Sequence, residues 1–210
     1  VEPVALAGHS VGEFACAVMA GIWSLEDAAE LVARRAELMQ SLPGGAMAGV
    51  KGSADDLQPI LERLADEGHQ VVVAGATSPR HSTVSGSHEA IDRACQIFLE
   101  RGIAARKLRT SHAFHSPMMD SAVVDFERYV ERVDTQPPVL PIASSVTGTW
   151  MSQEEAADPS YWSRQIREPV LFQQALETLK PNPGTVVLEV GPRRTLCSFA
   201  QAVWKTLPAS

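Results

Sequence analysis

Gly8-His9-Ser10-Val11-Gly12 fits GxSxG, the pattern in which a serine sits on a strained strand-to-helix turn with its hydroxyl exposed. A helix that starts at the serine aims its free N–H groups and its positive dipole end at any oxyanion formed there, and the Val11 N–H is the natural first donor. Such a serine is an acyl nucleophile, and it needs a base, for which histidine is the usual residue. Ser111-His112-Ala113-Phe114-His115-Ser116-Pro117 offers two histidines three apart, and the residues alone leave open which of them serves. His69, His81 and His88 sit in polar or turn-like surroundings and suggest no chemistry.

A cation accompanies this pair. After Ser24, the residues Asp27, Glu30, Arg34 and Glu37 recur at helical spacing and form a solvated stripe with favourable i,i+4 pairing. Arg35 falls on the other face, among Ala28, Leu31, Val32, Leu38 and Met39, with no acid beside it. A guanidinium in a dry site costs several kcal/mol unless something meets it. Three outcomes are open: a distant acid pairs with it, the side chain snorkels to solvent, or it clamps a ligand carboxylate with its planar fork.

The elements that must position these groups follow from periodicity and breakers. Residues 4–7 read as a short strand, 11–20 as a helix stopped by Gly21, and 25–40 as a helix capped by Ser24 and ended at Pro43-Gly44-Gly45. Between 46 and 109, strands near 47–50, 71–74, 83–85 and 103–108 alternate with helices at 54–67 and 88–101, the βαββαβ order of a ferredoxin-like unit. Beyond His115 we expect a helix over 117–133, a strand near 139–144, a mainly helical stretch over 162–180, a buried strand at 185–190 and a last helix after Pro192. Alternating strands and helices imply a mostly parallel sheet. The expected class is α/β, with residues 1–45 and 113–210 forming the larger subdomain and 46–112 an insert.

With these motifs in hand, the chain resembles the acyltransferase domains of polyketide and fatty acid synthases, which are similar to malonyl-CoA:acyl carrier protein transacylases. The likeness rests on Gly8 to Glu13, on Arg35 within residues 33–39, on Ser111 to Pro117, on Tyr161-Trp162 leading to Arg167-Glu168-Pro169-Val170, and on Glu189-Val190-Gly191-Pro192. It implies an α/β-hydrolase-like large subdomain carrying the ferredoxin-like insert, with the site in the cleft between them. It further implies that Ser10 is acylated and His115 is the base, that Arg35 holds the malonyl carboxylate, that His9 lines the acyl pocket, and that Val11, His112 and Phe114 also contact substrate. The family orients its histidine with a backbone carbonyl, and the matching position is Gln165. His112-Ala113-Phe114-His115 resembles the malonyl-type signature, with Phe114 filling the space an α-methyl needs; methylmalonyl selectivity is the alternative. The implied substrates are a coenzyme A thioester and the phosphopantetheine of an acyl carrier protein, with no tightly bound cofactor. A ketosynthase and other synthase domains are expected in the same polypeptide. An upstream strand and Gln-rich loop, carrying a second oxyanion donor, are also implied, and because Val1-Glu2-Pro3-Val4 lacks an initiator Met the chain reads as a piece of a longer protein.

Bulk properties agree with a soluble enzyme. The chain is 45% hydrophobic with a formal net charge of -7 and a sequence pI near 5.4, and it has no long basic run, so nucleic acid and membrane are not expected partners. Cys16, Cys95 and Cys197 lack disulfide or metal spacing, and no leader or spanning segment opens the chain, which points to the cytoplasm. Arg106, Lys107 and Arg109 read as charges protecting a strand edge in preference to a site for coenzyme A phosphates. Two rivals stand: a docking module without catalysis, and a generic α/β serine hydrolase. The latter needs an acid between serine and histidine in chain order, and Asp55, Asp56, Asp66 and Asp92 all fall on helices of the insert.

Overall fold

The structure, a computed structural model, describes residues 2–182 and 184–205. Val1 and residues 206–210, the outer bounds of the expected division, lie outside the described residues. Strand β1 (Leu6–Ala7) leads through a turn into α1 (Gly12–Met19) and α2 (Leu25–Gln40). The next segment holds β2 (Ala46–Val50), α3 (Ala54–Asp66), β3 (Val71–Ser78), β4 (His81–Gly86), α4 (His88–Glu100) and β5 (Ala105–Lys107). A 3-10 turn at Pro117–Met119 opens α5 (Asp120–Val130); β6 (Ile142–Ala143), α6 (Gln153–Ala157), α7 (Pro159–Arg164), α8 (Phe172–Leu179) and α9 (Thr195–Trp204) follow.

Two sheets result. β1 pairs in parallel with β6, Leu6 opposite Ile142. The other four strands form an antiparallel sheet in the order β3-β4-β2-β5, the ferredoxin-like topology. This second sheet has its own core, where Leu57, Leu64, Ile91 and Phe98 from α3 and α4 close over Val84. β5 is an edge strand bearing exposed Arg106 and Lys107, and Lys107 pairs with Asp92 at 2.6 Å. No helix among the described residues is long and apolar enough to cross a membrane.

The larger core fixes α1. Phe14 is buried against Trp162 and Trp23, with ring centroids 5.5 Å away in each case, and also meets Phe126. Four aromatic rings from α1, the α1–α2 connection, α5 and α7 thereby hold the helix whose first turn follows the GxSxG serine. Ser24 caps α2, its hydroxyl accepting from the Asp27 N–H at 3.0 Å.

One expectation fails for an identifiable reason, and another holds with a break. Residues 185–190 form no strand and are not buried; Val186 is 89% and Val190 86% exposed. An apolar run makes a strand only where a neighbour completes the hydrogen-bond ladder, and among the described residues none pairs with this one. The stretch 162–180 is mainly helical as expected, but in two pieces, because residues 165–171 leave α7 before α8 begins. Pro169 disfavours helix at Glu168, and Val170 instead bonds β3, its N–H donating to Ala74 O at 2.9 Å while its carbonyl accepts from Ala76 N–H at 3.0 Å.

At Gly8 the chain passes so close to α1 that a Cβ would lie 2.3 Å from Glu13 N and 2.4 Å from Gly12 C, both backbone atoms that cannot swing aside. Gly8→Ala should therefore displace the turn and destabilise the protein by at least about 1–3 kcal/mol, read as a lower urea midpoint at constant m-value. An unchanged midpoint with normal activity would show that the turn has slack.

Candidate active site

Ser10 lies at the turn with φ 52°, and His115 has φ 56°; these are the two described non-glycine residues in the left-handed region. Each such conformation costs on the order of 1–3 kcal/mol and persists only where surrounding contacts impose it. The strain brings the two side chains together: Ser10 Oγ stands 2.8 Å from His115 Nε2. The other ring nitrogen, Nδ1, is 2.9 Å from the Glu168 carbonyl. Since a carbonyl only accepts, Nδ1 carries the proton, Nε2 presents its lone pair, and the serine hydroxyl donates to it. The His115 N–H also donates to Ile166 O at 3.3 Å, so both ends of the residue rest on one loop.

The orienting carbonyl therefore belongs to Glu168 and not to Gln165. The Gln165 carbonyl adds a weaker attraction, and its buried side chain turns away, Nε2 donating to Glu13 Oε2 at 2.7 Å. Residue 165 ends α7 while 168 lies on the irregular loop beside the imidazole, and backbone acceptors leave no mark in residue type, which is why sequence placed the role three residues early. Glu13 itself, buried in the first turn of α1, was missed as well; a lone acid in the apolar run Phe14-Ala15-Cys16-Ala17-Val18-Met19 was the available signal.

Burial pushes the His115 imidazole down to about 4, and the nearby Arg35 charge adds to this, while the Glu168 carbonyl opposes it. The ring is thus neutral and ready to take a proton throughout the neutral range. Arg35 is 6% exposed, and its Nη2 lies 3.4 Å from Ser10 Oγ. Among the described residues no acid pairs with it and its Nε has no partner; besides the serine hydroxyl, the guanidinium meets the Phe14 ring face at 5.9 Å. Burial lowers it to about 10, so it remains charged at neutral pH. Arg34, one residue earlier, bonds Glu37 at 2.9 Å on the solvated face, as the stripe predicts.

The remaining candidates divide. His9 is half-buried with its ring edge-on to Phe172 at 5.1 Å, and burial lowers its pKa. Val11 is exposed, and its N–H takes no protein acceptor among the described residues, leaving it open to a substrate oxygen. His112 is buried with both nitrogens engaged, Nε2 donating to Leu42 O at 3.0 Å and Nδ1 accepting from Ser111 Oγ at 2.8 Å, so it holds the loop and offers substrate no polar atom. Phe114 is half-buried with its ring 5.9 Å from that of His112. Two of the four acids a hydrolase triad could draw on are occupied elsewhere, Asp56 capping α3 and Asp92 pairing with Lys107, and none of the four bonds His115. No described cluster of His, Cys, Asp or Glu could hold a metal ion.

Comparison with known proteins agrees with this geometry. The family model described as Acyl transferase domain matches residues 1–208. The spectinabilin polyketide synthase system protein NorB of Streptomyces orinoci is 36% identical over all of this chain, which spans 10% of that protein. The acyl transferase domain of SpnD, solved in complex with 2-(pent-4-yn-1-yl)malonyl, superposes with a TM-score of 0.90 at 32% identity, covering 98% of this chain and 49% of its own. The malonyl CoA-acyl carrier protein transacylase of Burkholderia pseudomallei gives a TM-score of 0.88 at 29% identity, covering 100% of this chain and 73% of its own. In sequence and in fold, the chain belongs to the acyl transferase domain family.

Proposed function

We propose that this domain transfers a malonyl unit from malonyl-CoA to the phosphopantetheine thiol of an acyl carrier protein through an ester on Ser10, within a multidomain synthase. The observation that carries the reading is Arg35, a buried charge beside the serine hydroxyl that pairs with no acid among the described residues and whose Nε has no partner. A desolvated guanidinium at this spot is a cost to the free protein, and a substrate carboxylate removes it.

The steps follow from the tautomer. Ser10 Oγ attacks the thioester carbonyl as His115 Nε2 takes its proton, the Val11 N–H and the α1 N-terminus facing the developing oxyanion. Collapse breaks the carbon–sulfur bond, and His115 returns the proton to the coenzyme A sulfur. In the second half, the phosphopantetheine thiol gives its proton to His115 while sulfur attacks the ester, and the proton then goes back to Ser10. Glu168 O holds the ring through both halves, a neutral acceptor doing what an aspartate does in serine proteases. The substituted malonyl of the SpnD complex and the transacylase name of the Burkholderia relative support a carboxyacyl group as cargo. The Phe114 ring against His112 favours malonyl over its α-methyl homologue, a discrimination worth about 1–3 kcal/mol.

Acylation needs neutral His115, so kcat/KM should be flat through neutral pH and fall only as pH drops through about 4. Because the Arg35 charge is one cause of that depression, Arg35→Ala should move the acid limb to higher pH. A wild-type limb near the ordinary histidine value, unmoved by the substitution, would mean that another group titrates.

Arg35→Ala should also cost malonyl transfer about 2–5 kcal/mol, roughly 30-fold to several-thousandfold, while acetyl transfer holds or rises because a buried unpaired charge is gone. Arg34→Ala on the solvated stripe should change both little. Rates for the two acyl groups in the full-length protein decide this, and equal losses in Arg35→Ala would make the arginine structural.

A further inference from the structure

Glu13 is a buried carboxylate that the acyl-transfer steps leave unused. Oε1 accepts from Ser145 N–H at 3.1 Å and Tyr161 O–H at 2.7 Å; Oε2 accepts from Ser145 O–H at 2.8 Å and Gln165 Nε2 at 2.7 Å. Burial pushes the carboxyl above its usual range, and the donors from Tyr161, Gln165 and Ser145 oppose it. Four donors satisfy the buried carboxylate, and their placement links segments far apart in sequence.

The links run toward both reacting residues. The Glu13 N–H donates to Ser10 O at 2.9 Å, closing the turn that carries the nucleophile. Its side chain meanwhile grips Gln165, the last residue before the loop whose Ile166 and Glu168 carbonyls receive His115 N–H and Nδ1–H. Apart from His115 itself, Glu13 is the residue that joins the serine turn to the end of α7. From this geometry, and resting on the Ser10–His115 reading above, we infer that Glu13 is a positioning residue that sets the register between nucleophile and base through Gln165. Gln165, displaced from the orienting role expected of it, thereby acts one bond further back. A shift of about 1 Å in such a frame costs on the order of 100-fold in rate without weakening substrate binding elsewhere in the cleft.

The test uses the full-length protein with two reagents, malonyl-CoA and a neutral fluorophosphonate that reports serine–histidine alignment without needing Arg35. Gln165→Leu keeps the volume and cuts only the link; Glu13→Ala removes the hub; the double variant completes the cycle. Acylation at saturating malonyl-CoA and fluorophosphonate labelling should both fall on the order of 10–100-fold in Gln165→Leu, with KM within about threefold of wild type. The double variant should be no slower than Glu13→Ala alone, since both cuts break one path. Wild-type labelling by Gln165→Leu, a loss confined to KM, or losses that multiply in the double variant would overturn the inference. If Glu13→Ala does not fold, Gln165→Leu decides by itself. A wild-type protein that takes the fluorophosphonate but no malonyl would defeat the proposed function and leave this inference measurable.

Discussion

One hydrogen bond organises the molecule: the 2.8 Å contact between Ser10 Oγ and His115 Nε2, closed across 105 residues of chain. Both ends sit in left-handed backbone that serine and histidine ordinarily avoid, so the bond exists only because packing holds each end in place. At the serine the holding is done by the absent side chain of Gly8 and by Phe14 wedged among three aromatic rings. At the histidine it is done by the 166–168 carbonyls and by Ser116, whose hydroxyl donates to Ala113 O at 2.6 Å and accepts from Met118 N–H, fixing the loop on either side.

The electrostatics follow from what surrounds that bond. A carbonyl behind the imidazole orients it without adding a negative charge, so nothing offsets Arg35 in the free protein. The surroundings of that bond are therefore buried and positively charged around a neutral base, although the chain as a whole carries a net charge of -7. Under the proposed function, a substrate carboxylate would neutralise Arg35 and relieve the repulsion that disfavours imidazolium, so the group that selects the substrate would also ease proton transfer to His115. An aspartate in place of the carbonyl would compete for the same arginine.

How much of this sequence reveals depends on whether a feature lives in side chains or in backbone. The glycines flanking Ser10 and the apolar neighbours of Arg35 are residue types, and they led to the turn and to the unpaired cation. The βαββαβ order of residues 46–107 was legible because each element has its own period and its own caps, Ser53 and Ser87 among them. Choosing His115 over His112 took family resemblance, since only the three-dimensional structure shows His112 bonded at both nitrogens. The orienting carbonyl was misplaced from Glu168 to Gln165 because every residue has a carbonyl. The 185–190 run was misread because strand formation is a property of a pair, and a local apolar run describes one partner only. The pairing of Glu13 with Ser145 and Gln165 spans more than 130 positions and has no local signature.

Acylation of Ser10 is read most directly by mass spectrometry of the full-length protein after brief exposure to malonyl-CoA, followed by proteolysis. One malonyl group should appear on the peptide containing Ser10 and should leave it when a carrier-protein thiol is added. Free malonate with no adduct, or an adduct carried by any other side chain, would contradict the acyl-serine mechanism.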